Sequence, residues 1–304
     1  MKGLIFKLIT FITIILLFDY LIGKSCEKLY ETSQYSSFAK LRYTLFETKE
    51  DLLILGSSRA MNQLNPKILE KNTGLSTYNC GFGGQGLIFS YIQLIETLKR
   101  YKPKAIILDV SPNILIDNLS NDKLKILMPY YKRDTIIFNA LISNDLDRIK
   151  FLSAIYPYNS TIGSLLRGLY DKYVDSLNGF VPVYNILDTN MVSENLSIQF
   201  KENKIPHDKF IDLYKIIDLC EINNIKTIII IGPFYKTNKN LDKILDQIYQ
   251  ELKSYKNISF LDFSRNSLFL GNGLYFYDNL HLNKMGADLY SDLLSHKIEL
   301  YLNN

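Results

Sequence analysis

Two short segments near opposite ends of this 304-residue chain carry residue types that can perform nucleophilic and acid–base chemistry. Gly-Ser-Ser-Arg at 56–59 follows the apolar run 52–55, which puts a serine where a buried strand ends and a helix begins. Near the C-terminus, Asp278 precedes His281 by three residues. A nucleophile, an acid and a base in the order Ser…Asp…His are the parts of a serine hydrolase. The pattern therefore predicts Ser58, Asp278 and His281 as one catalytic group.

Ser57 competes with Ser58 as the nucleophile, because both lie in the same turn. A Gly-Ser-Ser turn taken alone is typical of a helix N-cap. The C-terminal pair favours catalysis instead. A carboxylate three residues before a histidine on a tight turn can accept the Nδ1 proton and leave Nε2 facing a serine. Ser58 also lies beside a predicted helix N-terminus, which favours developing negative charge.

The elements that must position these residues are predicted from alternating apolar runs and helical patterns. Continuous Ile and Leu runs are typical of strands buried on both faces of a sheet. Strands are predicted at 51–55, 77–80, 105–110, 227–231 and 258–262. Helices are predicted between them at 65–71, 87–101, 210–223 and 240–255. Such alternation predicts an α/β fold with a doubly wound parallel sheet.

The stretch from 114 to 206 breaks this alternation, because it contains helix-like pieces and aromatic-rich segments only. It is too long for a bare loop in a compact domain. We interpret it as a mostly helical insertion after the third strand, beside the carboxyl ends of the strands. It could form a lid or a substrate wall, or it could only pack on the fold or on a partner.

The N-terminus carries an apolar stretch that predicts a membrane segment at 1–23. From Gly3 the stretch is just long enough to span a bilayer if Lys7 snorkels to one face and Asp19 lies near the other. A cleaved signal peptide is the alternative, because the apolar core is short. We favour an uncleaved single-pass anchor, oriented N-in by its basic residues, followed by a stalk at 24–50 and an extracytoplasmic domain at 51–304.

Composition excludes some classes of function. The net charge of +4 comes from 35 basic and 31 acidic residues without a basic block, so no nucleic-acid partner is expected. The three cysteines, Cys26, Cys80 and Cys220, form no CxxC pair, and we interpret them as structural. No His/Cys group has zinc-ligand spacing, so neither a metal nor another cofactor is expected.

These motifs resemble the SGNH/GDSL hydrolase superfamily. The block at 55–59 matches the family's first block with Ser58 as nucleophile, although Ser57 replaces the usual aspartate. The glycine-rich segment 79–84 is similar to the second block, and the resemblance implies that the Gly84 N–H binds the oxyanion. Asn113 would be the side-chain donor of the third block, although the usual Gly-x-Asn-Asp is absent. The Asp-x-x-His block at the C-terminus matches closely.

The resemblance covers about 51–113 and 227 to the C-terminus, and it implies a flavodoxin-like three-layer α/β/α sandwich. It also implies a serine-dependent ester hydrolase or O-acyltransferase. Within the superfamily, the chain most resembles membrane-anchored bacterial members that handle acyl groups on surface polysaccharides or teichoic acids. This resemblance implies a membrane-bound acyltransferase as a possible partner. A non-catalytic member that binds glycan or such a partner is the alternative, and the relaxed Gly-Ser-Ser block is its best support.

A third interpretation comes from Gly-Phe-Gly-Gly-Gln-Gly at 81–86, which matches the dinucleotide-binding pattern G-x-G-x-x-G between a strand and a helix. Asp109 ends the next strand, roughly where a ribose-binding acid would lie. Against this hypothesis, the turn follows the second strand rather than the first. It would also leave Ser58 and the Asp278–His281 pair without a role.

Overall fold

The computed structural model describes residues 1–116, 121–170, 174–188, 204–237, 239–255 and 257–302. Its centre is a sheet of five parallel strands in the order β2-β1-β3-β4-β5. The strands are β1 (Leu52–Leu55), β2 (Thr77–Asn79), β3 (Ala105–Asp109), β4 (Lys226–Ile231) and β5 (Ile258–Asp262). This is the flavodoxin-like strand order, so the predicted α/β class is confirmed.

Side-chain alternation along the strands explains why the sheet is buried on both faces. In β1, Leu53 and Leu55 point into one hydrophobic cluster, whereas Leu52 and Ile54 point into the other. Strand β4 divides in the same way between the two clusters. Successive side chains of a strand alternate between faces, so a continuous apolar run is what two covered faces require.

Helices cover each face and complete three layers. One cluster includes side chains from the helices Leu87–Leu98, Ile211–Ile222 and Lys239–Leu252. The other includes side chains from the helices Ser58–Gln63, Pro66–Thr73 and Lys284–Leu302. The predicted helices at 65–71, 87–101, 210–223 and 240–255 therefore correspond to observed ones within a few residues.

The stretch 114–206 contains helices and turns but no strand within its described part. Its α-helices are Thr135–Leu141, Asp145–Lys150 and Ile162–Arg167, and its 3₁₀ helices are Asn121–Tyr130 and Tyr156–Tyr158. The helix Pro112–Ile116 leads into it from β3. Two further 3₁₀ helices, His207–Phe210 and Gly273–Tyr275, lie outside this stretch.

The chain divides into two compact units, which we name by their content. The sheet unit comprises Tyr43–Leu119 and Asp175–Asn304, and the helical unit comprises Met1–Arg42 and Ser120–Val174. Part of the long insertion therefore belongs with the N-terminal region. The helix Ser36–Phe46 carries the chain from one unit to the other.

The helical unit contains a single long helix, Lys2–Thr32, among the residues the structure describes. An 18-residue window of this helix has a mean hydropathy of 2.2 and no buried residue, so the helix is compatible with a membrane anchor or a signal sequence. Burial begins only in its second half, at Gly23, Cys26 and Tyr30, which share one face. The ring of Tyr30 packs against Phe38 and Tyr130 within the unit.

Candidate active site

The nucleophile candidate lies at the carboxyl edge of the sheet, directly after β1. Strand β1 lies between β2 and β3, so the connections leave in opposite directions here, and such switch points are where open α/β sheets bind ligands. Gly56 makes the turn with φ of 144°. A Cβ on Gly56 would lie 2.9 Å from Ala60 Cβ and 3.1 Å from Asp109 Cβ, so a side chain would not fit. The turn leaves Ser58 partly exposed as the first residue of its helix.

The histidine candidate lies on a tight hairpin whose base is the antiparallel bridge between Phe276 and Leu282. The Tyr277 N–H donates to the His281 carbonyl at 3.1 Å. Inside the hairpin, Asp278 Oδ1 accepts the backbone N–H groups of Leu280 at 2.7 Å and His281 at 2.8 Å. One carboxylate therefore both shapes the turn and faces the imidazole.

A chain of hydrogen bonds joins the three predicted residues. Ser58 Oγ lies 2.8 Å from His281 Nε2. His281 Nδ1 lies 2.9 Å from Asp278 Oδ2 and 3.0 Å from Oδ1. The carboxylate can only accept, so it fixes the tautomer with the proton on Nδ1 and leaves the Nε2 lone pair for the Ser58 proton. Ser57 lies beside this chain of hydrogen bonds, and its own side chain makes no capping bond to the helix.

The electrostatics of the hairpin keep Asp278 ionised. Partial burial raises the pKa of Asp278, but hydrogen bonds from the His281 ring and from the Leu280 and His281 backbone outweigh it, so the pKa lies below its ordinary value. Tyr277 stacks on the His281 ring with centroids 5.3 Å apart and planes 16° apart. Partial burial and the charge of Asp278 raise the pKa of Tyr277 to about 12, so its ring remains a neutral support for the imidazole.

Arg59 connects the nucleophile helix to the hairpin, a role that the sequence did not predict. Its guanidinium donates to the carbonyl of Leu280, the residue before His281, and to the carbonyl of Pro233 at 3.0 Å. It also lies 4.3 Å from the ring centroid of Phe234. Gln63 Nε2 donates to the same Leu280 carbonyl at 2.9 Å. Two side chains of one short helix therefore hold the histidine in register with Ser58.

Asp109 lies near Arg59 beneath the site. Arg59 and Asp109 are each 2% exposed. Burial raises the pKa of Asp109, against the charge of Arg59 and a hydrogen bond from the Gly232 N–H. Burial also lowers the pKa of the Arg59 guanidinium. A Cβ on Gly232 would lie 2.9 Å from Arg59 Nη2, so a side chain at this position would displace the guanidinium.

The C-terminal motif continues into a helix cap that anchors the hairpin from the other side. Asn283 Oδ1 accepts the Gly286 N–H at 3.0 Å, and its Nδ2 donates to the Leu274 carbonyl at 2.7 Å. A Cβ on Gly286 would overlap the Tyr275 carbonyl. The Asn-x-x-Gly spacing after His281 therefore lets the helix Lys284–Leu302 begin directly against the hairpin.

The glycine-rich turn after β2 passes close to Ser58. Asn79 Oδ1 accepts the Gly81 N–H at 2.9 Å, and Asn79 Nδ2 donates to the Ala60 carbonyl at 2.7 Å, so the turn is tied to the nucleophile helix. A Cβ on Gly83 would lie 4.0 Å from Ser58 Cβ. Gly84 has φ of 74°, and a Cβ there would meet no atom within 4 Å. Open space thus lies beside Gly84.

The structure describes one of the two predicted oxyanion residues, Gly84, more fully than the other, Asn113. Gly84 follows Gly83, which passes close to Ser58, so the Gly84 N–H remains a candidate donor. Asn113 lies in the helix Pro112–Ile116 after β3, but its side chain lies outside the described residues. Its predicted role stays a prediction. No group of three or more His, Cys, Asp or Glu side chains that could hold a metal ion occurs in the described ranges.

The end of the long insertion contacts both halves of the site within the sheet unit. The Val181 N–H donates to the Met61 carbonyl at 3.0 Å, next to the nucleophile helix's first turn. The Leu187 N–H donates to the Phe276 carbonyl at 2.7 Å, at the base of the hairpin. A surface pocket of about 390 Å³ lies here, lined by Tyr184, Ile186, Asn283, Lys284, Met285 and Asp288. The expected substrate wall stays a prediction, but this segment is the part of the insertion that could supply it.

No known protein-family profile and no curated protein sequence matches this chain. Among solved structures, a protein from Streptococcus pneumonia provisionally named as a platelet activating factor is 14% identical, and the match covers 96% of this chain and 98% of that chain with a TM-score of 0.46. A GDSL-like lipase from Bacteroides thetaiotaomicron VPI-5482 is 12% identical, with 88% and 98% covered and a TM-score of 0.43. The lipase/acylhydrolase from Enterococcus faecalis is 13% identical, with 82% and 96% covered and a TM-score of 0.41.

Proposed function

We propose that the chain is a serine-dependent carboxylic ester hydrolase or O-acyltransferase of SGNH/GDSL type. The observation that carries the proposal is the continuous hydrogen-bond chain from Ser58 Oγ through the His281 ring to the Asp278 carboxylate, with donor–acceptor distances of 2.8 and 2.9 Å. A base within hydrogen-bond reach of a nucleophile, and itself oriented by a third group, is the geometric signature of nucleophilic catalysis. A structural histidine has no need of both partners.

The geometry supports a two-step acyl transfer. His281 Nε2 takes the Ser58 proton as Oγ attacks the ester carbonyl carbon, and Asp278 stabilises the imidazolium that forms. His281 then gives the proton to the departing alkoxide, and an acyl-serine remains. Water or a sugar hydroxyl attacks this acyl group, with its proton passing to His281. Ser58 leaves with its proton restored, and the acyl group is on the acceptor.

The oxyanion formed in each step needs donors on the side of Ser58 away from the histidine. The Ser58 N–H is the first proposed donor, because the first N–H groups of a helix have no intrahelical partner. The open space beside Gly84 supports its N–H as the second donor, because an oxyanion could occupy that space. The amide of Asn113 is proposed as the third. Removing one such donor typically lowers kcat about 10²–10³-fold.

We further propose a single-pass bacterial membrane protein, oriented N-in, whose sheet unit lies outside the cytoplasm and acts on acylated cell-surface glycan. The exposed apolar helix Lys2–Thr32 supports the anchor. The glycan substrate and a membrane-bound acyltransferase partner rest on the resemblance stated above, because a triad alone does not define a substrate.

The geometry does not favour the dinucleotide-binding alternative. The glycine turn follows β2, which is an edge strand, whereas the switch point lies between β1 and β3. Asp109 is 2% exposed and accepts the Gly232 N–H, so its carboxylate does not face a ligand site as a ribose-binding acid would. Only an activity measurement distinguishes the non-catalytic binding protein from the proposed enzyme.

The test is p-nitrophenyl acetate hydrolysis by the full chain in detergent, compared with Ser58→Ala and Ser57→Ala variants. We expect Ser58→Ala to lose at least about 10³-fold in kcat, because a triad acts as a unit. Ser57→Ala is the matched control, and we expect it to retain most of the activity. Equal activity of wild type and Ser58→Ala would refute the serine mechanism. Absence of activity in the wild type, with acetate and longer acyl esters, would favour the binding role.

A further inference from the structure

An acidic residue inside the apolar N-terminal helix is bound by a turn of the insertion. Asp19 Oδ1 accepts the Ser153 hydroxyl at 2.6 Å, and Oδ2 accepts the Ala154 N–H at 2.7 Å. One helical turn later, a Cβ on Gly23 would overlap Ala154. All these residues belong to the helical unit. The turn at 153–155 is therefore fixed to the helix at the level of Asp19 and Gly23.

The position of Asp19 along the helix can be compared with the thickness of the hydrocarbon core of a bilayer. A hydrocarbon core of roughly 30 Å needs about 20 helical residues. The apolar stretch begins at Gly3 and ends at Ile22, before Lys24. Asp19 lies three residues before Ile22, which is roughly 5 Å along the helix axis. A membrane crossed by this stretch would therefore have its boundary at the turn that binds Asp19.

The segment beside this turn exposes large apolar side chains. Leu146, Ile149 and Leu152 are 70%, 59% and 83% exposed. Their spacing of three residues puts them along one face of the helix Asp145–Lys150 and its continuation. Phe151, between them, is buried within the unit. An exposed apolar row on a short amphipathic segment is what an interfacial membrane segment presents.

We propose that residues 145–155 form a membrane collar, whose apolar row inserts into the outer boundary of the bilayer around the N-terminal helix. The occupant of this surface is phospholipid. The inference rests on the proposed membrane anchor. It also accounts for Asp19, because a carboxylate near hydrocarbon is costly unless hydrogen-bond donors reach it, and the collar turn supplies them.

The helical unit also has an exposed apolar residue beside the C-terminal end of the long helix, beyond the proposed membrane boundary. A Cβ on Gly168 would overlap the Ser33 hydroxyl, so Gly168 lies beside the end of the long helix. Ser33 is ten residues beyond Gly23, which is roughly 15 Å along the axis. Leu169, next to Gly168, is 57% exposed. It should face water, which makes it a matched control for Leu152.

The chain contains no tryptophan, so a single introduced tryptophan reports its own environment. We would reconstitute full-length Leu152→Trp, Leu169→Trp and Ile12→Trp variants in phosphatidylcholine–phosphatidylglycerol vesicles, with and without brominated acyl chains. We expect Ile12→Trp and Leu152→Trp to emit at shorter wavelength and to be quenched by bromine. Leu169→Trp should emit as a water-exposed residue and show little quenching.

Each outcome decides between the collar and its alternatives. Quenching of Leu152→Trp no stronger than that of Leu169→Trp, with Ile12→Trp quenched, would overturn the collar and leave the anchor intact. A blue shift of Leu152→Trp without bromine quenching would indicate contact with a second protein copy and would also overturn it. An unquenched Ile12→Trp would refute the anchor itself. Hydrolysis by Ser58 is measured separately and is affected by none of these outcomes.

Asp19 provides a second test of the same geometry. We expect Asp19→Ala in the Leu152→Trp background to lower the bromine quenching, because the turn loses its three hydrogen bonds to this carboxylate. Lys24→Ala is the control, since its side chain pairs with Glu27 at 2.6 Å and does not hold the turn. Unchanged quenching in Asp19→Ala would contradict the role assigned to this carboxylate.

Discussion

The two units differ in where they keep their apolar and their polar residues. In the sheet unit, the strands bury Leu and Ile on both faces, and the polar side chains meet at the carboxyl edge around Ser58 and His281. In the helical unit, large apolar side chains lie on the outside of the long helix, and tyrosines such as Tyr30 are fully buried. The first distribution is suited to chemistry at a water-accessible edge. The second is suited to apolar surroundings.

The comparison implies that variants should divide into two groups. Changes at the carboxyl edge of the sheet unit should alter hydrolysis of a soluble ester, and changes in the helical unit should leave that hydrolysis unchanged. Each variant below is chosen to break or sharpen this division.

The largest effect is expected for Asp278→Asn. The asparagine oxygen can still accept the Leu280 and His281 backbone N–H groups, so the hairpin should keep its shape. It cannot hold the imidazole in the required tautomer as a carboxylate does, and a loss of about 10⁴-fold in kcat is expected on that ground. Steady-state kinetics would measure the loss in kcat, and circular dichroism would show whether the variant keeps its fold.

Asp246→Asn is the matched control for Asp278→Asn, because its side chain is 75% exposed in the same unit. We expect wild-type kcat from it. If Asp278→Asn retained more than about a tenth of wild-type activity, the orienting role of Asp278 would be wrong.

The second effect is mainly on the stability of the site. Arg59→Met removes two hydrogen bonds to carbonyls and leaves Asp109 buried without its neighbouring positive charge. Removing the partner of a buried polar group typically costs about 1–3 kcal/mol in the free energy of unfolding, and more where a charge is left behind. Urea denaturation of the full chain in detergent would measure the change.

The double variant Arg59→Met/Asp109→Asn tests the cause of that loss. Removing the uncompensated carboxylate should restore part of the stability, and hydrolysis should stay below that of the wild type because the Leu280 carbonyl keeps only its hydrogen bond from Gln63. A double variant no more stable than Arg59→Met would show that Asp109 does not depend on Arg59.

The sequence predicted the sheet of this chain well, for a physical reason. Strands buried on both faces leave a continuous apolar run, and β3, which is buried at every position, was predicted at 105–110 and is observed at Ala105–Asp109. The hairpin was also predictable, because Asp278 and His281 are close in the sequence. The contact from Ser58 to His281 joins residues 223 positions apart, so no local pattern contains it. The order Ser…Asp…His, together with the resemblance to the SGNH/GDSL blocks, supplied that pairing.

The role of Arg59 and the position of the turn at 153–155 were beyond prediction for a different reason. A single buried arginine leaves no periodic signal, and Asp109, its neighbour in space, is 50 residues away in sequence and was interpreted as a possible ribose ligand. The turn at 153–155 owes its position to contacts with Asp19 and Gly23. Such contacts depend on tertiary packing between distant segments, which composition and periodicity do not encode.

A smaller effect is expected in the helical unit from Gly23→Ala. The added methyl group would overlap Ala154, and overpacking of this kind costs about 1–3 kcal/mol. Gly163→Ala is the matched control, because a Cβ there meets no atom within 4 Å, and helical Gly→Ala exchange is commonly stabilising by about 0.4–1 kcal/mol. Limited proteolysis in vesicles would report the stability of the helical unit. Hydrolysis of p-nitrophenyl acetate should be unchanged in both variants. A loss of hydrolysis in Gly23→Ala would break the proposed division.

The smallest effect is a pH dependence within the sheet unit, where two aspartates should act with opposite signs. The folded-state pKa of Asp278 lies below its ordinary value of 3.8, so its stabilising contribution is present above that pH and is lost as pH falls through the folded-state pKa. The folded-state pKa of Asp109 is raised from the same ordinary value, so its ionisation lowers stability as pH rises above 3.8.

Urea unfolding between about pH 2 and pH 7 would separate the two carboxylates. In the acid limb, the free energy of unfolding of Asp278→Asn should fall less steeply than that of the wild type. Above that limb, Asp109→Asn should lose less stability with rising pH than the wild type does. If both variants changed the slope in the same direction, one of the two environments would be misassigned. The geometry points to Asp109 in that case, because its carboxylate depends on Arg59 and the Gly232 N–H, whereas Asp278 has three donors within its own hairpin.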